Sequence, residues 1–278
     1  MWYSEAMKIR IPIRPTVILL ALLAAMPVGC RRGTSDPAKL AGMAQEIGNV
    51  HLVGRVWLED PSQADPQKRV SSWEQARLEV WFLKGLYRLD LVPRDGPRVV
   101  RMFVAGREYF LQSFPPQPDL PPCQPQGYLL PVKSRPDLWA ILLQAGQPYA
   151  MVLGPVSRLG RLVPTAAPDP FPHHPARLAW FDLRPAGSGF PADLAEYRRL
   201  RLGLGPEDGL LHAWVGEFAE NPKDSHPQIL WRVVVFDRHE SGVVRRDDLL
   251  LPTEAAGAAW TDGDGRPIHP PTSCIQPR

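Results

Sequence analysis

Chemistry needs reactive side chains brought to a fixed spacing, and this 278-residue chain offers few such groupings. His173 and His174 are the first candidates for a metal. Adjacent residues of an extended chain point to opposite faces, and no cysteine or carboxylate cluster stands at ligand spacing, so they read as exposed loop histidines. Asp262-Gly263-Asp264-Gly265 opens like a calcium loop but lacks the closing glutamate and runs into prolines; it reads as a turn. Gly187-Ser188-Gly189 lacks the spacing of a nucleophile elbow. Gly203-Leu204-Gly205 lacks the third glycine of a dinucleotide loop. Asp247-Asp248 lies beside Arg245-Arg246, where mutual pairing or solvation explains the charges. The pattern predicts no metal, no cofactor and no enzyme.

The remaining reactive group is Cys30. Lys8, Arg10 and Arg14 precede an apolar or near-apolar run, Thr16 to Met26, and small residues follow up to Gly29-Cys30. That is the order of a secretory signal. The run is short for a bilayer span, which needs roughly 20 residues. The six residues before Met7 add nothing to the pattern, which leaves Met1 and Met7 both open as starts. Val28-Gly29-Cys30 resembles the lipobox of bacterial lipoproteins, although Pro27 stands where that family usually has leucine. The resemblance implies cleavage after residue 29 and lipidation of Cys30. Several acyl chains would hold the protein firmly, whereas one gives marginal binding. Arg31, rather than an aspartate, follows the cysteine; by the usual sorting rules this implies the outer membrane, facing the periplasm.

Without residues 1–29, whose Lys8, Arg10, Arg14 and Glu5 sum to +2, the chain keeps +1 of its +3. So balanced a charge, with no basic stretch interleaved with aromatics, excludes a nucleic-acid partner. The 249 residues from Cys30 onward are ample for a sizeable core. Cys123 and Cys274 are the cysteines left beyond Cys30. In an oxidising compartment they are expected to pair, with two separate thiols as the alternative.

The elements that would position any site are mostly strands. Asp36 is a natural cap for a helix over Pro37–Gly48 with Leu40, Met43 and Ile47 on one stripe. Strand signals follow at Val50–Leu58, Arg77–Lys84, Tyr87–Leu91, Val99–Val104 and Glu108–Phe114. Residues 115–136 are crowded with proline and are expected to hold no central strand. Ser134 is the expected cap of a helix through DLWAILLQAG, closed by Gly146. A second proline-rich stretch runs from Pro164 to Pro175. Strands are then expected at Arg177–Leu183, Tyr197–Leu204, Leu210–Phe218, Gln228–Phe236 and Val243–Leu251, with a turn at Pro206–Gly209. Residues 253–278 read as a loose tail. Helices do not alternate with strands, so the fold class is α+β: a curved antiparallel sheet, an unclosed β-barrel, of about ten strands with a few helices on its concave side.

Several strands are apolar at nearly every position, as in Val80–Leu83 and Val233–Phe236, so both sheet faces must be covered. The concave side either packs on the helices or lines a cavity for acyl chains. Trp81, Tyr87, Leu89, Phe103, Trp214 and Trp231 are the candidate cavity residues, although parity cannot be read from sequence.

Leu78-Glu79-Val80-Trp81-Phe82, then Tyr87-Arg88-Leu89-Asp90, then a glycine turn within Phe103–Phe110, resembles the lipoprotein-carrier and outer-membrane-lipoprotein-receptor (LolA/LolB-like) superfamily. The closing Asp247-Asp248-Leu249-Leu250-Leu251-Pro252 is similar as well. The resemblance covers residues 36–252, between a tether at 30–35 and the tail, and the proline-rich insertions depart from it. It implies a membrane partner through the lipid anchor and a cavity that binds or transfers lipid or lipoprotein acyl chains. A non-enzymatic envelope scaffold or sensor without a ligand is the alternative on the same fold.

Overall fold

The computed structural model describes residues 34–63, 76–94, 96–104, 106–115, 123–130, 136–146, 154–169, 177–269 and 272–276. Cys30, the signal segment and the His173-His174 pair lie outside these residues. Asp36 caps the first helix, α1 (Pro37–Glu46), its Oδ1 accepting from the Ala38 N–H at 3.0 Å, with Pro37 in the first turn.

Twelve strands among the described residues form one curved sheet: β1 (Asn49–Glu59), β2 (Ala76–Leu83), β3 (Leu86–Pro93), β4 (Arg98–Val104), β5 (Arg107–Ser113), β6 (Gln126–Leu130), β7 (Gly160–Pro164), β8 (Ala179–Pro185), β9 (Tyr197–Leu204), β10 (Leu211–Ala219), β11 (Ile229–Ser241) and β12 (Ala259–Thr261). Their order is β12-β6-β5-β4-β3-β2-β1-β11-β10-β9-β8-β7, antiparallel except for the β12–β6 pair. The end strands β12 and β7 do not meet, so the barrel is unclosed. Pro164 in edge strand β7 has no N–H to offer a further strand. In the central β1–β11 pair the register shifts between Val53 and Gly54, a bulge of the kind that bends a sheet.

Alternation sorts the side chains onto two faces. Val80, Leu89, Trp214, Val234 and Phe236 point to the concave side and share one core with Leu40 and Ala44 of α1. The second helix, α2 (Leu138–Gln144), enters the same core with all seven side chains buried. Its cap is Asp137, whose Oδ1 accepts from the Ala140 N–H at 2.8 Å; Ser134, the expected cap, lies outside the described residues. A single turn of helix, α3 (Val156–Leu159), leads into β7. On the convex side, Trp57, Trp180 and Trp231 cover Ala213, Val215, Val233 and Val235.

Three expectations need correction. Within the proline-rich 115–136 stretch, Gln126–Leu130 is a strand paired on both sides, because the neighbouring prolines flank it and none falls inside it. Val243–Leu251 is not a strand: Asp248 Oδ2 accepts from the Arg245 N–H at 2.7 Å, and this local bond favours a 3₁₀ turn at Arg246–Leu249. The C-terminal segment is not a loose tail. Leu251, Ala255 and Trp260 bury against Val100, Met102, Tyr109 and Leu111 on the convex face. The Trp260 indole donates to the Ala255 carbonyl at 2.9 Å, and an Arg88 guanidinium nitrogen to the Leu250 carbonyl at 2.6 Å.

Candidate functional site

The concave side is filled unevenly. Over β10 and β11 the helix α2 packs tightly: the Trp214 indole donates to the Leu142 carbonyl at 3.2 Å, and the Trp139 indole to the Gly209 carbonyl at 2.8 Å. At Gly146 a Cβ would stand 2.4 Å from the Trp214 ring, so the chain leaving α2 approaches the sheet too closely for any side chain.

Beside this packed zone, α1, α2, α3, the β2–β3 turn and the start of β7 line a half-open cavity of about 790 Å³. Its apolar wall includes Ala38 and Ala41 of α1, Phe82 of β2, Leu138 and Trp139 of α2, Val156 of α3 and Leu162 of β7. That volume lies within the roughly 300–1,000 Å³ of small-molecule sites, and an apolar wall with few polar groups is their usual character. Alanines three residues apart, Ala38 and Ala41, leave room where larger residues would fill it.

The polar groups on the wall are few and placed. Asp137 is largely spent within the fold: besides capping α2 it accepts from the Val156 N–H at 3.1 Å, tying α3 to α2. Burial raises its carboxyl above the ordinary value, against the opposing pull of these two backbone N–H groups. Lys84 and Arg161 stand exposed on the wall. Lys84 and Gly85 make the two-residue β2–β3 turn with φ of 48° and 79°, and the Lys84 N–H donates to the Gly48 carbonyl at 2.7 Å. A second hollow of about 680 Å³ lies beside Trp57 and Val92, but it is bordered by Arg55, Arg77 and Arg94, and Arg55 is already bound by Asp237 at 2.8 Å.

None of the six sequence candidates stands in the wall of the 790 Å³ cavity. Tyr87, Leu89, Phe103 and Trp214 do point to the concave side but belong to its packed core. There the Tyr87 hydroxyl donates to Glu108 Oε1 at 2.6 Å, and Glu108 is paired with buried Arg101 at 3.0 Å, so the buried charges are matched. Burial pushes the Tyr87 hydroxyl upward, keeping it a donor. Trp81 and Trp231 face the convex side. Trp81 stacks on His51 with ring centroids 5.0 Å apart and lies under the Arg88 guanidinium; Trp231 lies under Arg201 at 5.1 Å. Cys123 is exposed and Cys274 half-buried, and both are free thiols in this structure, so the expected bridge is not formed. Asp262 Oδ1 accepts from the Asp264 and Arg266 N–H groups, the arrangement of a turn.

No protein-family model and no curated protein matches the sequence. Among solved structures, the chain is similar to a domain of a putative outer membrane lipoprotein-sorting protein from Vibrio parahaemolyticus, at 11% identity and a TM-score of 0.34, over 78% of this chain and 95% of that one. A DUF1329 family protein from Desulfovibrio piger gives 9% and 0.33, over 76% and 92%. A LolA superfamily protein from Nitrosomonas europaea gives 10% and 0.27, over 77% and 96%.

Proposed function

We propose that the chain is an envelope lipoprotein, anchored through acyl chains on Cys30, whose domain takes a lipid or lipoprotein acyl chain into the cavity between α1, α2 and the β2–β3 turn. The reading is non-enzymatic: it asks the domain to bind, hold and release. The observation that carries it is the cavity itself, about 790 Å³ with a mainly apolar wall. Burying apolar ligand surface there is favourable by about 25 cal/mol per Å². The anchor rests on the charged segment, short apolar run and Val28-Gly29-Cys30 of the sequence. Replacing Cys30 with alanine should leave the precursor uncut and abolish palmitate labelling, and outer-membrane fractionation of the wild type checks the placement that Arg31 implies.

Native mass spectrometry of the full chain released from host membranes tests the cavity. The expected spectrum carries a non-covalent acyl species besides the covalent lipid. A bare mass, together with failure to take up added fatty acid, would contradict the reading. One observation favours the alternative of a scaffold or sensor without a ligand: α2 buries every one of its seven side chains, so much of the concave side is already filled from within.

A further inference from the structure

Two arginines are set directly against each other at the β7 end of the sheet. In the antiparallel β7–β8 pair Arg161 stands opposite Arg184. Phe181 and Leu183 of β8 turn into the concave core while Trp180 lies on the convex side. Alternation therefore puts Asp182 and Arg184 on the convex face, with Arg161 beside them. Like charges directly opposite each other in a ladder are destabilising. A neighbouring carboxylate relieves such charge elsewhere on this face: Asp237 binds Arg55 at 2.8 Å, and Asp90 binds Arg88 at 2.8 Å.

At the β7–β8 edge the carboxylate present is already taken. Asp182 is buried and holds Arg199 of β9 through both oxygens, at 2.7 and 3.0 Å, and Arg184 at 3.1 Å. Arg161 meets no carboxylate among the described residues. It is exposed, and the side chains of Arg184 and Arg199 are 59% and 40% exposed. Three guanidinium groups thus reach solvent over one buried carboxylate. A lone charge or a proline suffices to deter strand addition at an edge, and Pro164 is there already. An opposed pair of arginines exceeds that role.

The patch adjoins apolar surface. Gly160, Arg161 and Leu162 of β7 also line the 790 Å³ cavity, together with Val156 of α3. Cations beside an apolar opening match a lipid leaflet, where phosphates stand over acyl chains, better than they match a wholly polar acidic protein. Guanidinium groups bind phosphate through two parallel N–H bonds.

We infer that the β7–β8 edge docks on the anionic headgroups of a membrane, with Arg161 and Arg184 meeting lipid phosphates and bringing the cavity opening to the leaflet. This rests on the envelope-lipoprotein reading above and adds the surface by which the domain itself meets the bilayer.

The test uses the full chain released from host membranes and held by its own lipid in vesicles of phosphatidylcholine or of phosphatidylglycerol. Phenylglyoxal labels the arginines, and mass spectrometry reads each one. Labelling of Arg161 and Arg184 should be about fivefold slower on phosphatidylglycerol, the order of gain for one basic side chain at an anionic surface. The difference should vanish at high salt. Arg199 should share the protection, whereas Arg266, with a side chain 76% exposed, should label alike on both. Arg161→Gln with Arg184→Gln removes the opposed charges and should melt no lower than the wild type, while Arg199 loses its protection. Equal labelling of Arg161 and Arg184 on both vesicles, or equal protection of Arg266, overturns the inference and leaves the patch to an acidic protein. A chain that stays on phosphatidylglycerol alone would overturn the lipid anchor while supporting the patch; a chain that stays on neither overturns both.

Discussion

The two zones of the concave side are built from the same kinds of residue and end in opposite states. Over β10 and β11, α2 presses against Trp214, and the next glycine has no room for a Cβ. Beside it, Ala38 and Ala41 of α1 line the half-open cavity together with Phe82 and Leu138. Composition does not separate core from cavity here. What separates them is how fully a helix is buried: α2 buries all seven side chains, whereas α1 leaves Ala38 exposed and Ala41 half-buried on the cavity wall.

Truncation should break this contrast most visibly. Trp214→Ala removes a fully buried ring and its bond to Leu142, and should lower unfolding free energy by about 3–5 kcal/mol in denaturant titrations. Gly146→Ala forces a methyl group against the Trp214 ring and should cost about 1–3 kcal/mol by overpacking. Phe82 lines the cavity but is 8% exposed and belongs to the same core, so Phe82→Ala should cost less than Trp214→Ala, toward the low end of the roughly 3–5 kcal/mol of a packed aromatic. Equal losses at Trp214 and Phe82 would mean that the two zones are packed alike.

The smallest effect concerns the joint between the zones. The Pro206–Gly209 turn accepts from the Thr34 N–H ahead of α1 and, at Gly209, from Trp139 of α2. Asp208 braces the turn through the Leu210 N–H at 2.9 Å and His212 at 2.8 Å. Burial raises its carboxyl, but the bonds from His212 and Leu210, with His239 nearby, outweigh this and leave it below 3.8. A lowered carboxylate stabilises the fold above its unfolded value, and that stability is lost as pH falls through its folded value. The gap in melting temperature between wild type and Asp208→Asn should therefore be widest near neutral pH and close below pH 3.8. A gap that does not change with pH would separate the turn's stability from this charge.

Much of this architecture was legible in the sequence, and each failure has its own physical cause. Ten expected strands largely match β1–β5 and β8–β11, because two-residue alternation and turn residues report local geometry directly. Helix α1 was legible down to its cap, Asp36 with Pro37. Parity was not: Trp81 and Trp231 lie on the convex face, since a one-residue shift inverts every side chain and both faces of these strands are apolar. The C-terminal cover was missed because Leu251, Ala255 and Trp260 are separated by Pro and Gly and show no period. The cavity wall was missed for a stronger reason. Its shape depends on where α1, α3 and the β2–β3 turn meet, and the local signals at hand were slight: alanines at 38 and 41, and Lys84-Gly85 where Asn-Gly is the ordinary turn.

If the space beside α1 is a binding site and not a packing defect, filling it should abolish uptake. Ala41→Trp tests it most directly, since Ala41 is half-buried on the cavity wall and an indole there takes up the space. The measurement is uptake of pyrenedecanoic acid by the wild type and by Ala41→Trp, with melting followed in parallel. The account predicts saturable binding by the wild type and loss of at least about tenfold in affinity in the variant, equivalent to about 1.4 kcal/mol, with melting held or raised because a void has been filled. Unchanged uptake by a folded Ala41→Trp chain would contradict it.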